Sequence, residues 1–226
     1  MLPNWIKNPT DKEFDKQDSE LKAFVRLAGK IKNFYPRLPV AFTADGLYPN
    51  NTVFDICKNN NWKYIITLKD GNLTTVWQEI GFLDRINDNI KGQKFKRKPN
   101  LLITEDYKGF QNIGYQKHKL NIIEALIKKT PLKSTEGVPD KRFAHVTNFS
   151  LREQNLQEIS YLGRMRWKIE NEGFNEQKNT GYNLQHKYSR TSFIATQNYY
   201  QCLQIAHIIN QLSYKSNTIN KLIKGV

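Results

Sequence analysis

Asp45 directly follows the apolar run Leu38-Pro39-Val40-Ala41-Phe42-Thr43-Ala44, so a carboxylate stands where a short strand is expected to end. In open α/β sheets the loops beyond the C-terminal strand ends are free to converge, and catalytic groups gather there. Asp before Gly is also a common turn pair, and on these residues alone both readings stay open. A second set, Tyr161, Arg164, Arg166, Glu170 and Lys178, falls in a stretch of helical periodicity. Arg166 and Glu170 share a helix face by their spacing. Alone, that spacing describes a surface ion pair worth a few tenths of a kcal/mol. Taken together, a strand-end Asp and a Glu on a basic, aromatic helix suit phosphoryl transfer. That chemistry needs several carboxylates holding two divalent ions roughly 3.5–4 Å apart, one activating the attacking oxygen and one stabilising the leaving oxygen. Oxygen ligands select Mg²⁺ or Mn²⁺.

The elements that must position these groups follow from the periodicity. Leu21, Phe24, Val25, Leu27, Ala28 and Ile31 predict a helix from about 18 to 35, capped by Asp18 and stopped by Pro36. The strand ending at Asp45 comes next, then a helix over 51–61 and a strand over 62–68 running into Lys69-Asp70-Gly71. Strand, helix and strand with little polar alternation predict a parallel βαβ unit buried on both faces.

From 72 to 151 the texture changes. A helix is expected over 73–86, and Gly92-Gln93-Lys94-Phe95-Lys96-Arg97-Lys98 reads as an exposed basic run. Short strands are expected over 101–104, 110–115, 120–127 and 142–149, forming an antiparallel insertion into the α/β core. One helix is then expected over 154–178, broken by Gly181. A last helix over 193–214 carries the apolar stripe Ile194, Tyr199, Cys202, Ile205, Ala206 and Ile209. The expected division is 1–71, a partial core; 72–151, the β-rich insertion; and 152–226, the helical part carrying Glu170.

The 226 residues carry 35 Lys and Arg against 21 Asp and Glu, a formal net charge of +14. A field of that sign favours a polyanion, nucleic acid or an anionic membrane. No apolar run reaches the roughly 20 residues that span a bilayer, and Met1–Thr10 lacks the pattern of a secretory signal. Cys57 and Cys202 make no zinc motif and no disulfide framework; both are expected to be buried thiols in a reducing cytoplasm. Double-stranded DNA is the expected partner and the membrane is not, with Lys94, Lys96, Arg97 and Lys98 as DNA contacts.

Two stretches resemble the DDE transposases of the insertion-sequence-four type. The first is Thr43-Ala44-Asp45-Gly46-Leu47-Tyr48 with Trp62-Lys63-Tyr64-Ile65-Ile66 and Leu68-Lys69-Asp70-Gly71, similar to the family's second acidic strand and its neighbour. The second is Arg166-Trp167-Lys168-Ile169-Glu170-Asn171-Glu172-Gly173-Phe174-Asn175-Glu176-Gln177-Lys178, then Gly181-Tyr182-Asn183-Leu184-Gln185-His186, similar to the family's Tyr-Arg-Glu-Lys signature. The resemblance extends from about Asp18 to Ser213. It implies a ribonuclease H-like core, DNA strand cleavage and transfer at transposon ends, Mg²⁺ or Mn²⁺ held by Asp45 and Glu170, and phosphate contacts from Arg166 and Lys178. It also implies a location at the bacterial nucleoid and a homodimer or a full-length transposase as partner.

The signature places Tyr three residues before its Arg, where this chain has Gly163; the nearest Tyr is Tyr161. It places Lys seven residues after Glu, where this chain has Gln177 followed by Lys178, and Glu172 competes with Glu170 for the ligand role. The first catalytic Asp of the family sits on an earlier strand. Here Trp5-Ile6 is read as the tail of the third of the fold's opening strands, no earlier strand is expected, and Asp11, Asp15 and Asp18 end no apolar strand. The chain is therefore expected to be an N-terminally shortened copy that is inactive alone. Two other readings remain: a non-catalytic DNA-binding remnant or regulator of transposition, and a metal nuclease sharing only the fold.

Overall fold

Leu21, Phe24, Ala28 and Ile31 recur three and four residues apart and share one side of a helix. In the computed structural model this helix, α1, spans Lys16–Phe34. The structure describes residues 16–132, 138–184 and 188–216, with 219 and 221. Trp5-Ile6, Asp11, Asp15, Gln185 and His186 lie outside the described residues, as does the side chain of Asp18. After α1 come β1 (Ala41–Ala44), α2 (Asn51–Asn60), β2 (Lys63–Thr67) and α3 (Thr74–Arg85). β1 is shorter than the apolar run that announced it; its ladder to β2 begins at Ala41 opposite Lys63, beyond Pro39, which has no N–H to donate. α2 is fixed at both ends: the Asn50 side chain accepts the Val53 N–H at 3.1 Å, and Asn61 closes the helix in the left-handed region at φ 55°.

β1 and β2 are parallel, as the βαβ pattern implies. The rest of the sheet is antiparallel: β3 (Ile90–Lys98), β4 (Leu101–Tyr115), β5 (His118–Pro131) and β6 (Val138–Thr147). The six strands form one sheet in the order β1-β2-β6-β5-β4-β3, because β6 returns to pair with β2. The protein is thus α/β. The basic run 92–98 is exposed from Gln93 on, as expected, and forms most of β3, an edge strand; one expectation changes here. The two short strands expected over 101–104 and 110–115 are one strand, β4, with a bulge between Phe110 and Ile113.

Both faces of the sheet are covered. On one, α1, α2 and α3 bury Ala28, Val53, Phe54, Val76 and Ile80 against Tyr64, Ile66, Phe110, Ile122 and Val146. On the other, α4 (Glu153–Arg164) buries Leu156 and Ile159 against Ile65, Tyr107, Ile123 and Ala125. This second cluster is small, so truncating Leu156 to Ala should cost about 2–5 kcal/mol. Gly109 lets α4 approach: a Cβ there would lie 2.7 Å from Leu156 Cδ2.

The chain divides into two compact units, Met1–Arg166 and Trp167–Val226. The boundaries expected at 71 and 151 fall inside the first. The single helix expected over 154–178 does not form. α4 ends at Arg164, and the Met165 N–H is shared between Tyr161 O and Leu162 O at 3.0 and 3.1 Å, a tightening turn. In the second unit a π-helical segment, Ile169–Phe174, leads into α5 (Asn175–Asn179), and Asn175 N–H donates five residues back to Glu170 O. The last helix, α6, spans Phe193–Lys215. Its buried residues are Leu203 and His207, whereas Ile194, Ile205 and Ile209 of the expected stripe are exposed, and so is Cys202, which was expected to be buried. Cys57 is buried, which pushes its thiol pKa up to about 12.

Candidate functional site

β1 stops at Ala44, and Asp45 opens the turn that follows. Asp45 Oδ1 accepts the Leu47 N–H at 2.9 Å and its carbonyl accepts the Tyr48 N–H at 3.2 Å, an Asx turn. One carboxylate oxygen therefore serves the backbone. The Asn72 side-chain amide donates to Gly46 O, which ties this loop to the one after β2. A Cβ at Gly46 would come within 2.7 Å of the exposed Lys69 side chain, which would have to swing aside. Asp45 is thereby fixed at the C-terminal end of the parallel pair by two adjoining loops.

Beside it lies a cavity of about 390 Å³ between α1 and β1. Phe24, Ile31 and Phe42 give it an apolar wall, while Glu20, Asp45 and Arg166 bring charge. Two of the residues singled out from sequence, Asp45 and Arg166, are thus brought to one cavity within the first unit. Tyr48 also lines it; burial raises its pKa, with the Glu20 and Asp45 charges adding, so the hydroxyl stays protonated and can donate. Neither Glu20 nor Tyr48 was a sequence candidate. Only their neighbours at helical and turn spacing hinted at them.

Tyr161 and Arg164 lie on α4. Tyr161 is half exposed. Arg164 is partly buried, with its guanidinium over the Phe143 ring, 5.4 Å from the centroid. Its charge and, before it, burial push His145 down to about 4. Arg164 therefore packs onto the sheet through its planar group, a placement that sequence spacing does not reveal.

In the second unit, Glu170 is exposed in the π-helical segment and Lys178 is exposed on α5. Glu172, the competitor for the ligand role, is paired with Lys168 at 3.4 Å. Gln177, which occupies the signature's Lys position, is buried and exchanges amide hydrogen bonds with Gln204 at 3.0 Å. Lys178 is its exposed neighbour. Among the described residues, no three His, Cys, Asp or Glu side chains converge as a metal-holding group.

The four basic candidates of β3 do not act as one run. Lys94, Lys96 and Lys98 alternate with Arg97, so a strand turns them to opposite faces. Among the described residues no helix is long and apolar enough to cross a membrane. No known protein-family model matches this chain, and no curated protein is similar to it in sequence.

Proposed function

We propose that this chain acts on DNA as a protein of the DDE transposase type, binding transposon-end duplex in the bacterial cytoplasm at the nucleoid. The observation that carries the reading is the setting of Asp45. It stands at the C-terminal end of two parallel strands, held by two loops, in one cavity with Arg166. That is where an α/β sheet presents a reactive group, and a cation lining the same cavity suits a phosphate. The reading calls for Mg²⁺ or Mn²⁺, with Asp45 and Glu170 as candidate ligands; such an ion would supply charge at a reacting phosphorus. The chain's own residues hold a carboxylate at the strand end and offer Arg166, Lys178 and the basic strand β3 to the DNA backbone. A second copy or a full-length transposase is the proposed protein partner.

A second reading, a regulator that binds without cutting, is favoured by the Asx turn, because it gives Asp45 a structural task that needs no metal. Purified protein incubated with supercoiled DNA carrying the element's ends, in Mg²⁺ and then Mn²⁺, separates the two. Binding without nicking is expected of the chain alone. Nicking that vanishes in Asp45→Ala and Glu170→Ala assigns it catalysis outright, and absence of duplex binding removes both readings.

A further inference from the structure

Strand register sorts the cations of the antiparallel part of the sheet onto two faces with different surroundings. Residues paired across a ladder share a face. Lys96, Ile103 and Lys129 are one row, and Lys94, Glu105, Ile127 and Lys141 are the next. These rows continue the face that carries α4, since Tyr107 and Ala125 belong to the same alternation. Arg97, Lys91 and Lys128 are on the opposite face.

The opposite face is largely matched. Lys128 pairs with Asp106 at 4.0 Å, Lys108 with Asp84 at 2.7 Å, Arg142 with Asp70 at 3.0 Å and with Glu124, and Lys91 donates to Asn87 Oδ1 at 3.1 Å. On the α4 side, Lys94, Lys96, Lys98, Lys129 and Lys141 have no ion pair or side-chain hydrogen bond among the described residues. The acid in their midst, Glu105, accepts the Tyr107 hydroxyl at 2.5 Å and offsets one of the charges. Asp140 stands in the bulge beside Lys141, and Glu153 begins α4.

We propose that the α4-side face of the β3–β4–β5 arm docks the phosphate backbone of duplex DNA through Lys94, Lys96, Lys98 and Lys129. The proposal rests on the DNA-acting reading above and narrows it to one face. Alternate residues of β3 stand about 6.6–6.8 Å apart, and Lys96 and Lys129 are separated by two strand spacings, about 9.5 Å. The strands fix the anchor points of these flexible side chains on one surface, so the DNA meets a grid of ammonium groups rather than a loop. A duplex carries one negative charge per roughly 1.7 Å of axis, and Lys meets it as a point charge without reading bases. Lys129 joins the site and Arg97 leaves it, neither of which the linear sequence suggests.

The test compares two triple variants of the full chain that remove equal charge: Lys94→Gln, Lys96→Gln and Lys129→Gln, against Lys91→Gln, Arg97→Gln and Lys128→Gln. Affinity for a short duplex of random sequence is read by anisotropy over a salt series. Each lost phosphate contact lowers the slope of log affinity against log salt by about 0.9. The α4-side triple should therefore lose about 2–3 in slope, and the opposite triple less than about 1. Replacing the same three lysines by Arg should restore the slope, which excludes misfolding as the cause. Equal losses in both triples overturn the face assignment and leave DNA binding standing. A wild-type chain that ignores duplex but binds vesicles of phosphatidylserine and phosphatidylcholine overturns the DNA-acting reading itself.

Discussion

Gly163 on α4 lies flat against the His145 imidazole: a Cβ at that position would come within 2.4 Å of the ring Cδ2 and 2.6 Å of Nε2. The contact leaves no space for a side chain at position 163. A ring at 163 has no room above a histidine that is itself buried in the sheet. Gly163→Ala should destabilise by about 1–3 kcal/mol, the usual range for overpacking. Gly29, exposed on α1 with open space around its Cα, is the control. Gly29→Ala should stabilise by about 0.4–1 kcal/mol. Chemical denaturation of the two variants checks both signs, and equal shifts would contradict the contact.

The same histidine sets a pH dependence. Burial, then the Arg164 charge, depress its pKa from 6.5 to about 4. The folded state therefore disfavours the protonated ring. Stability from this group is complete above pH 6.5 and falls as pH drops toward 4, by roughly 3 kcal/mol in total. Denaturation curves across this window should flatten in His145→Asn relative to wild type. An unchanged pH slope in that variant would show that other groups set it.

The turn role of Asp45 can be separated from the proposed metal role. Asn keeps the side-chain acceptor for the Leu47 N–H, whereas Ala removes it. Asp45→Ala should lose about 0.5–1.5 kcal/mol, and Asp45→Asn close to none. If the carboxylate also serves a divalent ion, both variants should lose any Mg²⁺- or Mn²⁺-dependent rise in melting temperature. Retention of that rise in Asp45→Asn would confine Asp45 to its turn.

Gln177 stands where the resemblance expects Lys. Its amide is buried and reciprocally bonded to Gln204. Gln177→Lys, which recreates the signature residue, should destabilise α5 and α6 by about 1–3 kcal/mol, because it leaves the Gln204 amide unmatched. Lys178→Gln should leave stability unchanged and weaken duplex binding. Hydrogen exchange over the two helices and anisotropy with duplex give the two readouts.

Where burial imposes a period, the sequence was readable. Phe24, Ala28 and Ile31 announced α1, and the unalternating runs of β1 and β2 announced parallel strands. β3 escaped because from Gln93 to Lys98 both of its faces are exposed, so nothing there enforces polar and apolar alternation. α6 shows the converse failure. Isoleucines at helical spacing identify the helix, yet spacing cannot say which face is covered, and Leu203 and His207 turned inward instead. Asp45 was legible from its strand end. Its meeting with Arg166 in one cavity was not, because that depends on the turn at Met165, and the same holds for Lys129, whose place beside Lys96 is a matter of register across two ladders.

β3 is also the outer rim of the sheet, and it presents Lys91, Lys94, Lys96, Arg97 and Lys98 along its length. If another molecule tried to zip its own β3 onto this rim, cations would face cations at several of the rungs. Repulsion of this kind is how proteins keep exposed strand edges from polymerising. The same cations thus give the chain protection against forming fibrils with its own copies through that side.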